Sequence, residues 1–152
     1  MNRDEIIEEL QKYFSIKEIV CPHVYGKYGE RSWMFLTTEF LHTLLVLRTK
    51  ILKVPLICNS YSSGLTQRGL RCNLCDIVKQ KTVNDILYMS AHHNGMGGDL
   101  TSPQMTAKEM RRRIQINEDM LPYPVRLEGD VSWLHIDCYD EGNPYKVTIF
   151  KP

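Results

Sequence analysis

The sequence predicts an α+β fold, a small antiparallel sheet with helices packed against it. Two patterns point there. Apolar residues recur at helical spacing near the N-terminus, over residues 37–51 and after residue 106, and they alternate with polar ones in the last third. The 152 residues suit one domain, 1–152, with 43% hydrophobic residues to build a core. No repeat, low-complexity tract or linker divides the chain.

Ile6, Ile7, Leu10 and Tyr13 predict a helix over Asp4–Tyr13, capped by Asn2 or Asp4. Phe14–Val20 reads as a short docking segment. Tyr25–Glu30 reads as a loop because glycines and polar residues punctuate it. Thr37-Thr38-Glu39 opens the strongest helix, striped by Phe40, Leu41, Leu44, Leu45, Leu47 and Ile51 and ended by Pro55. Val54–Ser60 reads as a strand entering a loop, and the polar stretch from Tyr61 to about Thr82 as a long functional loop. Thr106 and Glu109 have the spacing of a capping box for a helix reaching about Asn117. Val125–Glu128, Ser132–Cys138 and Tyr145–Phe150 read as strands, the last two joined by the turn Glu141–Pro144. Short turns predict antiparallel neighbours.

Bulk properties exclude some functions. The formal net charge is +1, so no strong field points at nucleic acid or an acidic membrane. Arg111-Arg112-Arg113 falls in a helical pattern and reads as a solvated face. No apolar run approaches a membrane span, and the N-terminus has neither an apolar core nor a cleavage site for export. The expectation is a monomer, cytoplasmic as synthesised, without nucleic-acid or membrane partners. Five cysteines, an odd number without an export signal, argue for reduced thiols. Cys72 and Cys75 have the spacing of half a zinc knuckle. No second such pair follows, Cys21-Pro22-His23 is a poor completion, and the two read as plain thiols in a loop, with a structural zinc as the alternative.

Two stretches carry the chemistry: Ser90-Ala91-His92-His93-Asn94-Gly95-Met96-Gly97-Gly98-Asp99, and Trp133-Leu134-His135-Ile136-Asp137. On a strand, Trp133, His135 and Asp137 share one face and Leu134 and Ile136 the other. In the first stretch, three glycines allow a tight reversal that brings His92 and Asp99 together. His92, Asp99 and His135 then make an N, O, N donor set with an open position. That composition suits Zn²⁺ better than the oxygen-seeking Mg²⁺ or Ca²⁺. His93 competes with His92 for the role. His23 and His42 remain, His42 as a packed or surface residue of the strongest helix.

The pattern Ser-x-His-x-x-Gly-x-(Ala)-x-Asp, followed far downstream by Trp-x-His, resembles the zinc D-Ala-D-Ala carboxypeptidase and cell-wall endopeptidase family, which shares its fold with the N-terminal domain of hedgehog proteins. Ser90, His92, Gly95, Gly97, Asp99, Trp133 and His135 carry the resemblance, which covers roughly residues 54 to 138. It implies zinc on His92, Asp99 and His135. It also implies a substrate-holding arginine, Arg71 or else Arg68, and a cleft in which Ser90 and Trp133 meet the substrate. Two positions depart from it. Gly97 stands where the family usually has Ala. Ser132 stands where many relatives carry the catalytic acid, three residues before the last zinc histidine, and serine cannot replace that carboxylate at neutral pH. Glu128, Asp130 and Asp137 are the carboxylates within reach. Glu128 is favoured for its longer arm, and Asp137 reads as a partner orienting His135.

The resemblance implies hydrolysis of peptidoglycan peptides, and with no export signal a phage or prophage lysis enzyme is a natural home. The alternative is a catalytically inactive metal-binding or recognition domain on the same fold. A nucleic-acid module built on Cys72 and Cys75 lacks a second ligand pair and a basic surface.

Overall fold

The first helix starts where the sequence places a cap. Asn2 accepts the Glu5 N–H at 3.0 Å, and the Glu5 carboxylate accepts the Asn2 N–H at 2.8 Å. In the computed structural model, which describes residues 1–152, this helix (α1) spans Arg3–Leu10 and buries Ile6 and Leu10. Tyr25–Glu30 is not a loop. Pro22 presets the first turn of a helix, α2, over Pro22–Tyr28, and a 3₁₀ segment follows over Gly29–Phe35.

Helix α3 (Thr38–Val46) is capped by the Thr37 hydroxyl, which accepts the Phe40 N–H. It widens over Leu47–Ile51, where the Leu52 N–H reaches back five residues to the Leu47 carbonyl at 2.9 Å. Lys53, at φ +57°, ends the helical run two residues before Pro55.

Val54–Ser60 does not form the expected strand. Its backbone groups find partners on separate segments rather than in one ladder. Ile57 exchanges two hydrogen bonds with Thr101, the Asn59 N–H goes to Glu18 and the Ser60 N–H to Leu65. The stretch read as a long loop contains helix α4 (Asp76–Val83). Val78 is its one buried residue, so no apolar stripe marks it in the sequence.

Helix α5 (Ala107–Ile116) begins at Thr106 as expected, but only half of the capping box forms. Glu109 pairs instead with Arg112 at 2.8 Å and Arg113 at 3.0 Å. Nor is Arg111 merely solvated. Its guanidinium donates to the Trp133 and Val131 carbonyls at 2.9 and 3.0 Å.

Four strands follow the order β1 (Gly97–Leu100), β3 (Leu134–Asp137), β2 (Val125–Glu128), β4 (Val147–Phe150). β3 pairs antiparallel with both β1 and β2. β4 was expected beside β3, but β1 and β2 already occupy both edges of β3. It therefore joins the outer edge of β2 in parallel, and the sheet is mixed.

Alternation sorts the two faces. Leu100, Val125, Leu127, Leu134 and Ile136 enter one continuous core with α1, α3 and α5. Asp99, Arg126, Glu128, His135 and Asp137 occupy the opposite face. No helix is long and apolar enough to cross a membrane.

Candidate metal centre

Cross-strand pairing builds the centre. Asp99 and His135 stand directly opposite on β1 and β3, and their side chains meet on the polar face. Asp99 Oδ1 lies 2.8 Å from His135 Nδ1 and 3.3 Å from His92 Nε2. His92 comes from the turn that precedes β1. Gly95 holds that turn at φ +67°, and a Cβ there would lie 2.0 Å from the Phe35 carbonyl oxygen. Of the three glycines expected to shape the reversal, only Gly95 lies in it. Gly97 and Gly98 belong to β1.

Gly97 serves close approach. Paired with Asp137, it leaves no room for a side chain, since an added Cβ would lie 2.6 Å from Asp137 Cβ and 2.8 Å from the Ile136 carbonyl oxygen. Gly97→Ala is expected to cost about 1–3 kcal/mol, the usual cost of overpacking. Urea denaturation checks it, and an unchanged midpoint would mean that β1 has slack.

Each imidazole is oriented from behind. His92 Nδ1 lies 2.9 Å from the Gly69 carbonyl oxygen, so its N–H donates there and Nε2 is left facing Asp99. His135 Nε2 lies 2.8 Å from Asp137 Oδ2. Asp137 is fully buried and is itself held by the Arg126 guanidinium at 2.9 and 3.0 Å and by the Tyr139 N–H. Asp137 thus has the orienting place read from the sequence, and Arg126 extends the chain outward.

The electrostatics favour a positive charge at the centre. Burial alone would push the His135 imidazole down. The hydrogen bonds to Asp137 and Asp99 outweigh burial and raise it to about 9. Burial would raise the Asp99 carboxyl, but its bonds to His135 and His92 hold it well below the usual range.

His92, Asp99 and His135 each offer one donor atom, and these atoms lie within 4.8 Å of one another. Three donors on a zinc ion with bonds of about 2.1 Å stand about 3.4 Å apart, so the set fits with small adjustments. The donors face a cleft of about 300 Å³ that Arg71, Ser90, Glu128 and Trp133 also line.

The remaining expectations divide. The Arg71 guanidinium lies 3.5 Å from Asp99 Oδ2 and donates to the Tyr88 hydroxyl at 2.9 Å. Arg68 does not line the cleft. Its backbone carbonyl accepts the Asp99 N–H at 2.7 Å, so it docks β1 instead. The Ser90 hydroxyl accepts the His92 N–H at 3.2 Å. Trp133 walls the cleft, and its buried indole N–H has no partner.

Glu128 projects into the cleft and makes no ion pair. Asp130 does not reach it. Its backbone turns away at φ +58°, and its exposed carboxylate pairs with Lys151 at 3.3 Å. Ser132 also lies outside the cleft and is exposed. His93 turns its ring aside, with Nδ1 3.0 Å from the Arg71 carbonyl oxygen.

Sequence reasoning missed Arg126 and Phe150. Arg126 alternates with Glu128, a signal that could have placed both on the polar face. Phe150 sets its ring edge-to-face against His135 at 5.6 Å, which depends on the unforeseen parallel pairing of β4.

A second donor cluster stands where the sequence reads as plain thiols and a poor completion. Cys21, His23, Cys72 and Cys75 bring four potential ligand atoms within 4.8 Å of one another, a group that could bind a metal.

Comparison with protein-family models, curated proteins and solved structures finds no match to this chain.

Proposed function

We propose that this chain is a zinc-dependent peptidase that cleaves peptide bonds in the stem or cross-link peptides of bacterial peptidoglycan, on a hedgehog-like fold. One observation carries the reading. Two imidazoles from distant motifs converge on Asp99 Oδ1, at 3.3 and 2.8 Å, at the floor of a cleft that also holds Arg71 and an unpaired Glu128. The substrate class rests on the motif resemblance.

His92, Asp99 and His135 would hold the ion. When bound there, zinc would supply Lewis acidity, lowering the pKa of a water from about 16 to about 7. Glu128 accepts a proton from the attacking water and returns it to the leaving amine. Arg71 supplies N–H donors to a substrate carboxylate or carbonyl oxygen, and its charge opposes the negative charge that develops there. Asp137 fixes the His135 ring, and the Gly69 carbonyl fixes that of His92, so the donors are set before substrate arrives. Trp133 and Phe150 give the cleft an apolar wall beside the centre.

The test is clearing of purified peptidoglycan in a gel overlay. Clearing that EDTA abolishes and added zinc restores is the expected result. Protein that carries zinc but leaves peptidoglycan and its isolated peptides uncut would overturn the peptidase reading. It would instead favour a recognition domain, which the serine at position 132 makes the natural second reading.

A further inference from the structure

We propose that Cys21, His23, Cys72 and Cys75 bind a second zinc ion, a structural one, which clips the segment bearing Arg71 to the N-terminal helices. The proposal stands independently of the peptidase reading.

The donor set is built by backbone structure rather than by chance proximity. Cys72 and Cys75 form a knuckle. The Cys75 N–H bonds to the Cys72 carbonyl at 3.1 Å, and the Leu74 N–H points at the Cys72 sulfur at 3.4 Å. Cys21 and His23 flank Pro22 at the start of α2, Cys21 as the extended residue before the first turn and His23 within it, and both offer their donor atoms to the same cluster. The two arms are fastened to each other: the Leu70 N–H bonds to the Ile19 carbonyl at 2.8 Å, and the Cys21 N–H to the Leu70 carbonyl at 3.0 Å. His23 Nδ1 then lies 3.6 Å from the Cys72 sulfur and 3.8 Å from the Cys75 sulfur.

Those separations match the chemistry of zinc. Bonds of about 2.3 Å to sulfur and 2.1 Å to nitrogen put tetrahedral ligands about 3.6–3.8 Å apart. Three thiolates and one imidazole complete a closed four-ligand shell with no position left for substrate, the pattern of structural sites. Soft sulfur donors also exclude magnesium and calcium.

The surrounding packing gives the ion a task. From residue 61 to residue 90 only Gly69, Leu70, Cys75 and Val78 are buried. Cys21, Cys75 and Val78 form a satellite core of just three buried residues, separate from the main one. Leu74, Ile77, Val83 and Leu87 remain exposed. So little apolar burial holds this segment weakly, and a metal cross-link across 49 residues offsets that lack. The same segment presents Arg71 to Asp99 and the Gly69 carbonyl to His92. Loss of the clip would loosen the neighbouring centre without removing any of its donors.

Cobalt(II) reports on the site directly, because thiolate ligands give a near-ultraviolet charge-transfer band that an N, O, N site cannot give. Reduced, metal-free protein titrated with cobalt(II) should show that band. His92→Ala should keep it, and the double variant Cys72→Ser with Cys75→Ser should lose it. Because buried Cys75 variants risk misfolding, the exposed His23→Ala is the second arm. It should weaken cobalt binding by more than the roughly 10–100-fold lost with an outer-shell partner. Absence of the band in reduced, folded wild type would overturn the proposal, as would the band persisting in the double variant. Unchanged affinity in His23→Ala would overturn the four-ligand assignment. Failure of the peptidase reading alone would leave all of these readouts intact.

Discussion

Glu128→Gln is expected to keep the metal and the fold while reducing peptide hydrolysis by about 10²–10⁴-fold, the usual worth of a positioned general base. The substitution preserves shape and removes the group that accepts a proton. Structural damage should be small, because Glu128 is half-buried at the end of β2 and makes no ion pair. Other carboxylates cannot readily replace it. Asp137 is committed on both oxygens, to Arg126 and His135, and Asp130 lies outside the cleft beside Lys151. Turnover, zinc content and thermal midpoint measured on one preparation separate the possibilities. Undiminished turnover would remove Glu128 from the reaction. A fall in turnover with a matching loss of zinc would make it a positioning residue.

How far the sequence revealed this site depended on how local each signal was. Strand alternation placed His135 and Asp137 on one face and Leu134 and Ile136 in the core, because a period of two survives any choice of neighbouring strand. The cap at Thr106 was likewise local. What pairs with what was not. The position of β4 depended on β1 having taken the second edge of β3, and β1 contains two glycines and little strand propensity. Phe150 and its contact with His135 were hidden for that reason. Arg71 was preferred over Arg68 on motif spacing, and the structure separates them physically. One side chain reaches Asp99, while the other residue offers only its backbone carbonyl to β1.

The cysteine cluster was considered and set aside for a different reason. Its halves lie at Cys21–His23 and Cys72–Cys75, and 48 intervening residues give no sequence sign that the Cys-x-His arm folds back onto the Cys-x-x-Cys pair, so it read as a poor completion. The bonds that join them, between Ile19, Leu70 and Cys21, are backbone contacts without a side-chain signature. Helix α4 escaped because its packing face is a single valine beside that cluster.

His135→Ala is the second large expected effect. It removes one donor from the centre and leaves Asp99 and Asp137 without the imidazole between them. Two buried carboxylates deprived of a shared partner repel each other and destabilise the metal-free protein. Arg126 still holds Asp137, and Arg71 still faces Asp99, so the fold should survive at reduced thermal midpoint. Zinc affinity at the centre should fall by more than the roughly 10–100-fold lost with an outer-shell partner, and hydrolysis should fall below detection.

The zinc count and peptide cleavage of wild type and His135→Ala, read on the same folded samples, bear most directly on the claim that two imidazoles and Asp99 form a working metal centre. The variant should carry one zinc ion fewer per chain and cut nothing. A variant that keeps both the wild-type zinc content and the wild-type cleavage would contradict that claim.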